Sequence, residues 1–171
     1  MPNWCNNDIA INGTKEDIDA LEALLQTGEN SFDFNLFAPY PKEFKDADNE
    51  AKRVYDELVK EAGDPYRIDW GKVPADGFNK GGYEWCIENW GTKWSADEPT
   101  SERVRDTDFS IWFETAWSPP IPVIQKMSET FPKLKITIYY EECGMGFKGY
   151  ATFIGGEVVS ADEGDCDQDY G

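Results

Sequence analysis

The residues best suited to chemistry gather around one segment, Asn89-Trp90-Gly91-Thr92-Lys93-Trp94, with Trp85 just before it and Trp117 further on. An indole offers a broad π-face and a single N–H donor, so Trp85, Trp90, Trp94 and Trp117 could wall a flat pocket for a ring, a base or a peptide. Lys93, between two indoles, could neutralise an anion or stack on a ring. Asn89 could read a donor–acceptor edge. The competing reading is structural: the indoles fill the core, and Asn89 and Thr92 bond backbone around Gly91. Aromatic clusters are more often core than contact, so packing is the favoured reading.

Carboxylates are the second group. If the strands carrying Glu114 and Glu141 are neighbours, the two could face each other, and paired carboxylates do acid–base work when one is held protonated. Glu142 adjoins them. No spacing fixes the pair and no oxyanion donor accompanies it, so a solvated strand face is the simpler account; Glu141 is kept as a binding candidate. Asn3, Asn6 and Asn7 suit turns near the terminus more than a ligand. Asp165-x-Asp167-x-Asp169 echoes a calcium loop but lacks the bidentate Glu at its twelfth position. The four cysteines, at 5, 86, 143 and 166, form no C-x-x-C pair, and histidine is absent. Structural zinc and any mechanism built on a His base are thereby disfavoured. No glycine pattern sits between a strand and a helix as a phosphate loop requires. The expectation is no catalytic residue, no metal and no cofactor.

Charge narrows the partners. With 34 acidic and 16 basic residues the net charge is −18. That field repels phosphate backbones and anionic lipid, which disfavours nucleic acid, and it attracts a basic partner such as a basic host protein. Solubility alone would also account for it. Met1-Pro2-Asn3-Trp4 shows neither a basic nor an apolar leader region, and no apolar run approaches a bilayer span, so no membrane contact is expected. Cytoplasmic location with reduced thiols follows as the default.

The elements that must position these groups can be read from periodicity. Residues 7–12 alternate as a strand. Thr14 with Asp17 suggests a capped helix carrying Ile18, Leu21, Leu24 and Leu25 to Gly28. Residues 31–37 alternate again, and residues 46–62 read as a helix. Residues 64–82 look irregular, and 83–88 lead into a strand entering at about Thr92. Residues 107–116 form a strong strand with Trp112 opposite Phe109, Ile111 and Phe113. Ser118 as N-cap and Pro119 at the first helical position would start a helix ending at Pro132. Residues 134–140 alternate, and 148–154 and 156–160 suit a hairpin turning at Gly155-Gly156. With 31–88 set aside, a split β-α-β pattern remains. The fold class is α+β: a ferredoxin-like antiparallel sheet with helices on one face, an insertion after the first helix and a C-terminal hairpin. The expected organisation is one domain over 1–161 and an acidic, flexible tail over 162–171.

Four segments in this order carry a resemblance. They are Met1-Pro2-Asn3-Trp4-Cys5-Asn6-Asn7, Glu88-Asn89-Trp90-Gly91-Thr92-Lys93-Trp94, Phe113-Glu114-Thr115-Ala116-Trp117-Ser118-Pro119-Pro120, and Tyr139-Tyr140-Glu141-Glu142 with Gly144 and Gly149. Together they resemble the YubB-like family of plasmid and phage proteins. The resemblance implies a ferredoxin-like domain and a mobile-element setting, and it supplies no catalytic residue. The leading expectation is a non-catalytic interaction module that binds a protein partner, with nucleic-acid mimicry by surface carboxylates as its sharper form. A single-stranded nucleic-acid or small-ligand binder stacking on Trp94, Trp112 and Tyr139 is the alternative, and a small-molecule enzyme using Glu114 or Glu141 is a third.

Overall fold

A computed structural model describes residues 3–166. These residues form two compact units, one combining the chain up to Pro39 with the chain from Ile87 onward, the other comprising Tyr40–Cys86.

The first unit is organised by β1 (Trp4–Asn12), whose strict alternation buries Cys5, Asn7, Ile9 and Ile11 on one face. β1 lies between β3 (Asp108–Ala116) and β4 (Lys135–Glu142), antiparallel to both. β2 (Asp97–Arg105) flanks β3, while β5 (Phe147–Ile154) and β6 (Glu157–Asp165) extend the other side. The sheet order is β2-β3-β1-β4-β5-β6. The first four strands have the ferredoxin-like order, and the hairpin β5–β6 turns at Gly155-Gly156, both at positive φ as the turn requires.

The covered face buries Ile111 and Phe113 from β3 and Ile136 and Ile138 from β4. Two helices contribute their stripes to this core. α1 (Lys15–Leu25) supplies Ile18, Leu21 and Leu25, and is capped by Thr14, whose hydroxyl oxygen accepts the Asp17 N–H. α4 (Ile121–Thr130) supplies Val123, Ile124 and Met127. Each such side chain contributes roughly 1.5–3 kcal/mol on burial.

Several local expectations are corrected. Residues 31–37 are not a strand: Asp33 accepts the N–H groups of Glu29 and Asn35, and the chain makes one 3-10 turn over Phe34–Leu36. This turn places Phe32 5.0 Å and Phe34 6.0 Å, ring to ring, from Phe113. The segment thus belongs to the sheet unit, and the separate unit is narrower than 31–88. Residues 83–88 lie in a helix, α3 (Gly82–Asn89), and β2 starts at Asp97 rather than Thr92. α4 starts at Ile121 after Pro120, because the Ser118 hydroxyl donates to Gly91 O instead of capping a helix. β6 continues to Asp165 by pairing with β5, past the expected domain end at 161. Asp167 and Asp169 of the calcium-like run lie outside the described residues.

The second unit contains α2 (Lys42–Ala62), which stops at Gly63. Asp48 holds this unit together, accepting the Tyr40 hydroxyl at 3.1 Å and the Phe78 N–H at 2.9 Å. Among the described residues no helix is long and apolar enough to cross a membrane.

Candidate functional site

The tryptophan segment turns out to be two things. Trp90 is 5% exposed, donates its indole N–H to Ala38 O at 2.7 Å and meets Phe34 edge-on. Gly91 has φ +83°, and a Cβ there would come within 2.5 Å of Pro122. A run of hydrogen bonds then joins three of the motif segments. Asn7 donates to Thr115 Oγ1 at 2.8 Å, Thr115 donates to Ser118 O at 2.7 Å, and Ser118 donates to Gly91 O at 2.7 Å. Trp117, in the left-handed region at φ +72°, donates its N–H to Asn3 O at 3.0 Å. Such a backbone state is costly for a bulky residue and persists where its surroundings fix it. The motif core is a clasp.

Outside this clasp, Lys93 Nζ stands 4.2 Å from the Trp94 ring centroid and 5.9 Å from that of Trp117. Trp94 and Trp117 are 38% and 43% exposed, and Trp4 lies 6.4 Å from Trp94. Of the expected binding set, the structure therefore brings together Lys93, Trp94 and Trp117. It commits Trp90 to the core. Trp85 lies in the Tyr40–Cys86 unit with its ring 5.7 Å from Tyr40, and Asn89 is half-buried at the end of α3.

Glu141 belongs to a different place, the face of the sheet opposite the helices. Strand register sets its layout. One row across the sheet reads Thr100, Trp112, Asp8, Tyr139, Tyr150, Asp162. The next reads Asp97, Glu114, Asn6, Glu141, Lys148, Gly164. Between these rows lies an open groove of about 540 Å³ lined by Asn6, Asp8, Trp112, Tyr139, Glu141 and Tyr150 among others. Trp112 is 40% and Tyr139 52% exposed, and the Tyr139 and Tyr150 rings stand 6.1 Å apart.

This layout corrects the carboxylate-pair expectation. β3 and β4 are separated by β1, so Asn6 stands between Glu114 and Glu141. Glu142 is buried, and its oxygens accept the N–H groups of Gly144 and Met145. It closes a turn. Asp8, Glu114 and Glu141 enter no ion pair among the described residues; the ion pairs found there lie on helices, turns and the β2–β3 side. In these two rows Asp8, Asp97, Glu114, Glu141 and Asp162 stand against one cation, Lys148, which also lines the groove, so the face is aromatic and negative on balance.

Cysteine chemistry lies elsewhere. Burial pushes the Cys5 thiol up to about 12 and that of Cys86 to about 11, so neither is a thiolate nucleophile near neutral pH. Cys143 and Cys166 form a disulfide across 23 residues, their Cα atoms 5.7 Å apart. The expectation of reduced thiols fails for this pair, which β5–β6 pairing brings together. No three Cys, Asp or Glu side chains converge to hold a metal ion among the described residues.

Sequence reasoning named Trp112 and Tyr139 as stacking candidates but missed Asp8 and Tyr150. The alternation of β1 put Asp8 on the polar face. Its place between Trp112 and Tyr139 depends on a sheet order that joins distant segments.

No curated protein matches the chain. In structure it is similar to protein Api92 from Yersinia pseudotuberculosis, with a TM-score of 0.59 and 14% identity over 98% of this chain and 100% of that one. Residues 89–171 match the family model described as the ferredoxin-like domain in Api92-like protein. The sheet order and both comparisons agree: the fold is ferredoxin-like, similar to that of Api92-like proteins.

Proposed function

We propose that this chain is a non-catalytic interaction module that seats a basic segment of a protein partner in the open-face groove, and that it is of the YubB-like, mobile-element kind its four ordered motifs resemble. The observation that carries the reading is the row Trp112, Asp8, Tyr139, Tyr150, with Glu114 and Glu141 in the adjacent row. Exposed rings supply contact area at small entropic cost, and carboxylates beside them that enter no ion pair among the described residues favour cations. The net charge of −18 adds long-range attraction of the same sign. Whole-surface mimicry of nucleic acid is less well supported, because much of the acidity on α2 is neutralised in place by Lys42, Lys52 and Arg53.

A second reading keeps one observation in its favour. Trp112 and Tyr139 are exposed on a ferredoxin-like sheet, where single-stranded nucleic acid can stack. The Asp8 carboxylate between those rings, with Glu114 and Glu141 in the next row, would repel its phosphates. Titrating the protein with a basic peptide and with an oligothymidine, read by tryptophan fluorescence, separates the two. The module reading expects saturable peptide binding that weakens with salt and is weaker, but still measurable, in Trp112→Ala. Binding of the oligonucleotide in place of the peptide would overturn it.

A further inference from the structure

We infer that the groove selects arginine over lysine, with the space above Asp8, between Trp112 and Tyr139, as the seat of a guanidinium group. The inference rests on the basic-partner reading above and narrows it to one side chain.

The geometry comes from the register. Asp8 on β1 has Trp112 directly opposite on β3 and Tyr139 directly opposite on β4, all three on the open face. Adjacent strands lie about 4.8 Å apart, so the two aromatic side chains arise roughly 10 Å from each other with the carboxylate midway. That separation leaves room between the two side chains for a flat group, since each stacked contact takes roughly 3.5–4 Å. The floor of this space carries the Asp8 carboxylate, its two sides are aromatic, and Trp112 and Tyr139 are both exposed.

Lysine and arginine meet this space differently. A guanidinium is planar, weakly hydrated and able to stack on a ring while its edge donates a forked pair of N–H groups to a carboxylate. Asp8 accepts that fork below, while Trp112 and Tyr139 cover the two faces. An ammonium is a compact, strongly hydrated point charge that uses the carboxylate and gains less from the second ring. Glu141, one row along between Asn6 and Lys148, offers a second acceptor to the next basic side chain of an extended segment. The Tyr150 ring, 6.1 Å from that of Tyr139, backs the outer wall.

The experiment compares acetylated, amidated hexa-arginine and hexa-lysine on the full chain at one ionic strength, with tryptophan fluorescence as readout and calorimetry as check. Hexa-arginine is expected to bind about tenfold more tightly, the gain from stacking and forked bonding. In Asp8→Asn, which keeps the side-chain shape, and in Trp112→Ala the preference is expected to collapse toward parity. Glu157→Gln, an exposed change on β6, should leave it intact. Equal affinity for the two peptides in the unaltered protein would overturn arginine selection while leaving the basic-partner reading standing. Absence of binding by either peptide would overturn both. A preference that persists unchanged in Asp8→Asn would also overturn the seat, whether or not Trp112→Ala folds.

Discussion

Trp90 and Trp112 are indoles of the same unit, on opposite terms with their surroundings. Trp90 is packed against Phe34 and uses its only N–H on Ala38; Trp112 stands in a solvent-facing row beside Asp8. The segment that looks most unusual in the sequence supplies the first. An ordinary alternating strand supplies the second. The conspicuous segment closes the fold at Trp90 and leaves Trp94 exposed, while an ordinary strand supplies the ring in the groove. Asn7 and Asn6 repeat the contrast one residue apart: Asn7 is buried and bonded to Thr115 and Cys5, whereas Asn6 faces the groove.

The largest effect that would break this contrast is on stability. Trp90→Ala is expected to cost about 3–5 kcal/mol in urea unfolding, as a large core truncation does. Trp112→Ala is expected to change stability by under about 1 kcal/mol, as a surface substitution does. Comparable losses would mean that the groove is really core. Next in size is the disulfide. Reducing Cys143–Cys166, or replacing Cys166 by Ser, is expected to lower unfolding free energy by about 3 kcal/mol from the loop it closes. Thermal melts with and without reductant measure it.

A smaller and sharper test uses the asparagines. Asn7→Ala removes the amide donated to Thr115 inside the clasp and is expected to cost about 1–3 kcal/mol, whereas Asn6→Ala should stay within about 0.5 kcal/mol. The smallest effect concerns an ion pair away from both regions. Asp19 bonds Lys15 and Arg103, and those bonds hold its carboxyl below the usual range. A folded pKa below the unfolded one gives stability that is present above the unfolded value and lost as pH falls through the folded one. Urea midpoints followed from neutral to acid pH should therefore drop slightly less steeply in Asp19→Asn than in the unaltered protein.

Much of the sheet was legible because one buried face imposes a period of two. The alternating core positions of β1, β3 and β4, and the paired glycines of the last hairpin, carry that signal locally. Residues 31–37 carried the same period for another reason: Phe32, Phe34 and Leu36 alternate with polar residues, but they sit in a turn held by Asp33. Ser118-Pro119 looked like a helix start because the cap chemistry was present, but its hydroxyl was committed to Gly91. The groove was only half legible. Trp112, Tyr139 and Glu141 could be named individually. Their alignment with Asp8 could not, since register between segments more than a hundred residues apart leaves no mark in either one. The disulfide, though its cysteines are only 23 residues apart, was hidden because it depends on how β4, β5 and β6 pair.

The central place of β1 has a consequence for how the chain is made. Its partners are far downstream: Trp4 pairs with Ala116, and Asn12 with Lys135. At roughly 5–20 residues per second of synthesis, β1 waits on the order of ten seconds for either neighbour. During that interval Ile9 and Ile11 have no sheet to enter. The strand that organises the sheet is the one a translating ribosome must leave longest without its partners, so slowing elongation before β3 should penalise the yield of folded protein more than slowing it after β4.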